Sequence, residues 1–206
     1  MNSIYPSAQQ VVDSLGDKVV EALSLAVVGA RDNLSRYRRA FPDFVAGHSD
    51  RGLLNWVHDR MWVHLRSQLD DVAGVSFVDR GPLRELWVGT NFRCRLKKHD
   101  AAGMVRTYPT AAALDFMTQR LQPALDGLED IPLCAGYIWD PTERDVGPAV
   151  LSLRDGLDNV IWLHQLAEPS AAGGDATVNP IVPPTTPERP TVGLSGTERE
   201  DSAPES

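Results

Sequence analysis

The sequence has little of what disulfide-rich and membrane-spanning proteins need. Cys94 and Cys134 are the only cysteines among 206 residues, too few for a disulfide framework, which favours a reduced, cytoplasmic compartment. No run approaches the roughly 18 apolar residues that cross a bilayer, so we expect no membrane contact. The apolar stretch 22–30 follows acidic residues and has no basic segment before it, so we expect no secretory signal.

The motifs of common enzyme classes are also missing. The chain has no His-Glu-x-x-His, no Cys-x-x-Cys, no Gly-x-Ser-x-Gly and no glycine-rich nucleotide fingerprint. Its histidines are scattered: His58 and His64, on one predicted helix, point about 120° away from each other. We therefore predict no metal and no cofactor, and the missing motifs disfavour a classical metal, nucleotide or triad enzyme without deciding whether the chain catalyses a reaction.

Acidic charge is concentrated at the carboxyl end. From Ala167 onward there are seven acids and two arginines, a net charge of −5, which leaves −3 of the total of −8 for residues 1–166. The same segment holds seven of the fifteen prolines and no aromatic residue. Such a composition buries too little apolar surface to offset the entropy lost on ordering. We predict a disordered, acidic, proline-rich tail over 167–206.

The first third of the chain has helical periodicity. Apolar residues recur at three and four positions over 11–37, and Gly16 and Gly29 are candidate breaks within this stretch. Pro42 ends it, because a proline disfavours helix in the residue before it. The pattern predicts an N-terminal helical region, 1–45, that packs on the rest of the fold.

The core domain is predicted over 46–166. Ser49 or Asp50 can cap a helix near 51–69. The period then changes from 3.6 to 2, and six strand candidates follow, with a helix opened by Thr110 between the third and the fourth: 75–79, 83–98 (one strand or two), 104–108, 133–140, 148–155 and 159–166. This order predicts an α+β fold with N-terminal helices, a mostly antiparallel sheet of about five or six strands, a helix inserted in the middle, and helices on one face.

One predicted strand is unusually basic on one face. Alternation over 91–98 places arginine and lysine opposite the apolar residues, which gives a positive strip that can bind phosphate or an acidic partner. The alternative is that cross-strand acids such as Glu85 neutralise it. The candidate binding residues are the cations of this segment: Arg93, Arg95, Lys97 and Lys98. A second basic cluster ends the first helical region, where the helix dipole favours cations: Arg31, Arg36, Arg38 and Arg39.

Two carboxylates are weak catalytic candidates. A nuclease core that holds a metal with an aspartate on one strand and Glu-x-Lys on the next has a similar order of elements, and Asp79 and Glu85 would supply the carboxylates. The lysine is missing, because Trp87 stands in its place, and the attacking water then lacks its helper. A degenerate, nuclease-like domain that binds nucleic acid is therefore the form of this hypothesis that we keep.

The carboxyl-terminal half resembles a family of actinobacterial and phage-borne proteins of uncharacterised function. The resemblance covers roughly 105–166 and rests on a short helix with a glutamine, a Gly-Tyr-x-x-Asp strand, a hairpin and a final strand ending near an Asn-x-x-Trp: Gln119, Gly136, Tyr137, Asp140, Asn159 and Trp162. Genes of that family tend to lie beside one for a helix-turn-helix protein fused to a metallopeptidase-like domain. The resemblance implies a module like toxin–antitoxin or phage-defence pairs, with the helix-turn-helix regulator as the protein partner.

Two functional hypotheses follow, besides a purely structural role. In the first, the chain is a protein-interaction or effector component whose contact surfaces are the basic face of 83–98 and the N-terminal helices. In the second, the same strip binds nucleic acid, with or without hydrolysis at the candidate carboxylates. Replacing Arg93, Arg95 and Lys97 together by alanine is the direct test of the strip.

Overall fold

A computed structural model describes residues 5–80, 83–119, 130–169 and 180–181. Within these ranges the elements follow in the order α1 (Ala8–Leu15), α2 (Asp17–Ala40), α3 (Pro42–Gly47), α4 (Asp50–Leu69), β1 (Val75–Arg80), β2 (Leu83–Val88), β3 (Phe92–His99), α5 (Ala111–Met117), β4 (Ile131–Asp140), β5 (Asp145–Arg154), β6 (Val160–Gln165) and β7 (Pro180–Ile181). The predicted α+β class, with N-terminal helices and an inserted helix, is confirmed. Among the described helices, none has both the length and the apolar composition that crossing a membrane requires.

All seven strands form one sheet in the order of the chain. Neighbouring strands are antiparallel except β3 and β4, which are parallel. The stretch 83–98 is two strands, and Gly89 turns between them with a φ of 59°. Residues 104–108 do not form the predicted strand; Val105 makes a single bridge to His99.

The N-terminal helices and the sheet share one hydrophobic core. Leu34 of α2 and Leu53 of α4 belong to the same buried cluster as Leu133 and Leu151 of the central strands, and each has no exposed surface. Burying such a side chain stabilises the fold by about 1.5–3 kcal/mol. Helices α2 and α4 therefore pack on the sheet through this cluster.

Local signals set the helix boundaries. Gly16 separates α1 from α2 with a φ of 81°, a conformation that costs glycine little. Gly29 does not break α2; a Cβ there would lie 2.9 Å from the His64 ring, so the glycine permits a close approach of α2 to α4. Ser49 caps α4, because its hydroxyl accepts a hydrogen bond from the Gly52 N–H at 3.1 Å.

Helix α5 lies on the other face of the sheet, whereas the sequence predicts helices on one face only. Thr110 caps it as expected, but its buried residues Phe116 and Met117 pack with Cys134 in a second, smaller cluster. The reason is the parallel pairing of β3 with β4, which needs a crossover connection, and α5, the helix of this crossover, lies on the face that the other helices leave free.

The predicted tail begins in contact with the fold. The Ser24 hydroxyl donates a hydrogen bond to the Ala167 carbonyl at 2.8 Å, and Arg31 forms an ion pair with Glu168 at 2.7 Å. Strand β7 adds two residues antiparallel to β6. The rest of the tail predicted over 167–206 lies outside the described residues.

The close approach of β3 to β4 predicts a severe effect of Gly136→Ala. A Cβ at Gly136 would overlap the carbonyl oxygen of Lys97, which is backbone and cannot rotate away. We expect the free energy of unfolding in urea to fall by about 3 kcal/mol or more. Gly47→Ala is the matched control, since nothing lies within 4 Å of its added Cβ and helix propensity improves. Equal stability of the two variants would contradict this prediction.

Candidate functional site

Glu85 and Arg95 form a buried ion pair between β2 and β3. The pairing of Leu86 with Cys94 places them opposite each other. Nη2 and Nε of Arg95 lie 2.7 and 2.8 Å from Oε1 of Glu85, and the side chains are 13% and 5% exposed. The guanidinium carbon lies 4.0 Å from the centroid of the Phe116 ring of α5. A cation covered in this way is not presented to a phosphate or to a partner.

Arg93 is also engaged within the fold. It pairs with Asp130 at 2.9 Å and is 17% exposed. Its guanidinium lies 5.6 Å from the Trp87 ring centroid and 5.3 Å from that of Phe116, distances at which a cation is attracted to an aromatic face. Two of the four candidate cations are thus paired with acids and partly covered. The structure therefore favours the alternative in which neighbouring acids neutralise the positive strip of β3.

The candidate carboxylates Asp79 and Glu85 lie on opposite faces of the sheet. Asp79 pairs in register with Arg84, and it accepts a hydrogen bond from Nε1 of Trp62 of α4 at 3.1 Å. Glu85 follows Arg84 in the strand, so its side chain points to the α5 face. The structure therefore does not bring the pair together, and the described ranges contain no group of three potential metal ligands from His, Cys, Asp and Glu.

Lys97 and Lys98 diverge, because successive residues of a strand face opposite sides. Lys97 shares the face of Arg95, and burial lowers the pKa of its ammonium. Lys98 lies on the α4 face beside Tyr137, its neighbour on β4. Both residues line a pocket of about 200 Å³ between α4 and the ends of β3 and β4. Neither takes part in an ion pair with another described residue.

Both cysteines are buried free thiols without nucleophilic character. Burial raises the pKa of Cys94 to about 12 and that of Cys134 to about 11, so both stay protonated at neutral pH. Sγ of Cys134 lies 3.9 Å from Sδ of Met117 and contributes to packing under α5.

The most exposed aromatic pair lies where α2 meets α3. Phe41 and Phe44 are 51% and 67% exposed, and their rings stack with centroids 5.8 Å apart and planes 18° apart. Tyr37 supports them from inside, 6.0 Å from Phe41 and 5.0 Å from Trp56. These rings are not among the predicted site residues; two phenylalanines around a proline, directly after a run of arginines, are the sequence signal that marks them.

The second basic cluster divides into engaged and free cations. Arg31 pairs with Glu168, and Arg38 pairs with Asp145 at 3.3 Å. The other two arginines are exposed, and no ion pair of the described residues includes them. We name the exposed group the aromatic–basic patch: Arg36, Arg39, Phe41 and Phe44.

A buried polar group lies on the α5 face of β3 and β5. Nε2 of His99 lies 2.9 Å from Oγ of Ser152, and Arg154 donates to the carbonyls of Gly103 and Leu157 at 2.8 and 2.7 Å. Within the described residues, Nδ1 of His99 and Nε of Arg154 have no hydrogen-bond partner. Burial, and then the charge of Arg154, lower the pKa of His99 to about 4. Because His99 has no exposed surface, this group acts on stability.

Comparison with known proteins adds no relative. No family model matches the chain, and no curated protein or solved structure matches it significantly.

The buried ion pair predicts strongly non-additive substitutions. Glu85→Leu leaves Arg95 buried without its counter-charge, and Arg95→Met does the same to Glu85, so each should lower the free energy of unfolding by about 3 kcal/mol. The double variant should lose far less than the sum, as measured by a double-mutant cycle in urea.

Asp70→Asn is the control for this cycle, because the Arg66–Asp70 pair at 3.1 Å is 40% and 48% exposed. Its loss should cost no more than about 0.5 kcal/mol. Additive losses at Glu85 and Arg95 would contradict the buried pairing.

His99 predicts acid-sensitive stability. Its pKa is about 4 in the folded chain against 6.5 as its ordinary value, so between these pH values the unfolded chain binds a proton that the folded chain excludes. The free energy of unfolding should therefore fall as the pH falls through this window, by up to about 1.4 kcal/mol per pH unit. His99→Gln should flatten the dependence measured by urea unfolding at several pH values. If the free energy of unfolding of the wild-type chain and of the variant depended on pH in the same way, His99 would not be the cause of the acid sensitivity.

Proposed function

We propose that the chain acts by binding a protein partner through the aromatic–basic patch. The observation that supports this most directly is the exposed stack of Phe41 on Phe44. Large apolar side chains next to each other on a surface leave apolar area in water, and such patches are typical of interaction sites. Phenylalanine and arginine are also enriched at the centres of protein interfaces.

Charge indicates the chemistry of the partner. Arg36 and Arg39 are exposed near the carboxyl end of α2, shortly before Phe41 in the chain, and Arg51 is exposed in the first turn of α4, shortly after α3. Asp43 is the only acid of α3. A partner segment that inserts apolar side chains between or beside the rings and carries acids at its rim would complement this surface.

The same charges argue against nucleic acid as the main ligand. The net charge is −3 over 1–166 and −8 for the whole chain, so the long-range field repels a polyanion. Arg93 and Arg95, the centre of the strip proposed for phosphate binding, are held by Asp130 and Glu85. The triple alanine variant of the strip would therefore disturb the fold as well as the surface.

The resemblance of the carboxyl-terminal half supports a finer proposal. The chain would be the effector component of a two-gene module like toxin–antitoxin or phage-defence pairs, and its partner the helix-turn-helix regulator. A cytoplasmic location belongs to the same proposal, since Cys94 and Cys134 are free thiols. The role needs no catalysis by this chain.

The patch predicts which substitutions abolish partner binding. Phe41→Ser with Phe44→Ser should weaken binding at least about 100-fold, because both apolar anchors are lost. Arg36→Glu with Arg39→Glu should slow association and reduce its salt dependence. The partner is captured from the native host and purified. Its Kd for the wild-type chain and for each variant is then measured.

Tyr108→Ser is the matched control, because Tyr108 is an aromatic residue that is 83% exposed and lies in the segment before α5. It should leave the Kd unchanged. A partner whose affinity is the same for the wild-type chain and the Phe41/Phe44 variant would refute the proposal. Capture of nucleic acid that depends on the patch and is released by salt would replace it with the nucleic-acid hypothesis.

A further inference from the structure

A small pocket between α4 and the sheet is lined by several polar side chains. It has a volume of about 200 Å³ and lies at the carboxyl ends of β3 and β4. Asn55 and His58 come from one face of α4, Lys98 from β3 and Tyr137 from β4. The apolar part of the lining is Leu54, Met61 and Leu96. This surface is distinct from the aromatic–basic patch.

Tyr137 is the most informative of these residues. The residue is 3% exposed and burial raises its pKa, but its hydroxyl is not among the fully buried polar atoms that lack a partner, and no hydrogen bond between described residues includes it, so the hydroxyl is accessible from the pocket. A tyrosine hydroxyl in such a position can donate a hydrogen bond to a bound molecule. The neighbouring pocket is where such a molecule can bind.

The pocket offers hydrogen-bond donors and positive charge but no acid. No carboxylate lines it. Lys98 projects to the α4 face, and within the described residues it has neither an ion-pair partner nor a hydrogen-bond partner for its side chain. His58 adds a neutral ring, since burial, followed by the charge of Arg84, lowers its pKa. The arrangement suits an anionic group that accepts hydrogen bonds.

We propose that this pocket binds a small organic acid, whose carboxylate is held by the ammonium of Lys98 and the hydroxyl of Tyr137. The carboxylate accepts a hydrogen bond from each group, and Asn55 and His58 border it on the α4 side. The apolar body of the ligand packs on Leu54, Met61 and Leu96. A volume of about 200 Å³ limits the ligand to a compact molecule, because pockets for drug-sized ligands are larger.

Calorimetric titration of the full chain tests this with three probes: benzoate, its neutral analogue benzamide, and inorganic phosphate. Benzoate should bind, and benzamide should bind at least about tenfold more weakly, because it lacks the charge that pairs with Lys98. Phosphate should also bind more weakly, since it leaves the apolar lining without contacts. Equal affinity for benzoate and benzamide, tighter binding of phosphate, or no binding of benzoate would each overturn the proposal.

Variants assign the binding to the pocket. Lys98→Met should weaken benzoate binding about tenfold or more, and Tyr137→Phe about threefold to tenfold, because it removes only one hydrogen bond. Lys18→Met is the matched control, an exposed lysine in the first turn of α2. Thermal melts and circular dichroism establish that each variant is folded. Binding that persists unchanged in both pocket variants, or is lost in Lys18→Met, would place the acid elsewhere and refute the proposal.

Discussion

β3 and β4 run parallel in an otherwise antiparallel sheet, so the chain between them must return from one end of the sheet to the other. That connection contains α5, and this helix lies on the face that α1 to α4 leave free. The pairing also brings the backbone at Gly136 so close to Lys97 that only glycine fits. This one strand contact therefore gives the sheet helices on both faces and covers much of the basic side of β3.

Because α5 covers much of the basic side of β3, charged side chains there are removed from water. Arg95 and Glu85 are removed from water together, and the cost of desolvating them is offset only because the pair is close and well oriented. Such a pair adds little net stability over apolar residues, but removing one partner leaves a buried charge. The arginines of β3 thus belong to the packing of α5, and the free cations and exposed rings lie at the end of α2 instead.

The sequence predicts the elements well because their signals are local. Periods of 3.6 and 2, the caps Ser49 and Thr110, and the parity that sets Glu85 against Arg95 all depend on residues close along the chain or on one hairpin. The face covered by α5 depends on the path of a long crossover, which no local pattern contains. The pocket could not be predicted for the same reason, since its lining comes from α4, β3 and β4, far apart in sequence.

Helix α4 separates the two proposed surfaces. Trp56 stacks on Tyr37 behind the aromatic–basic patch, and His58 lines the pocket. Two residues along a helix differ by about 200° in direction, so these side chains leave α4 on nearly opposite sides. A partner on the patch and an acid in the pocket would then lie on different sides of α4. Substitutions at one surface can be interpreted without assuming damage to the other, because no residue of α4 serves both.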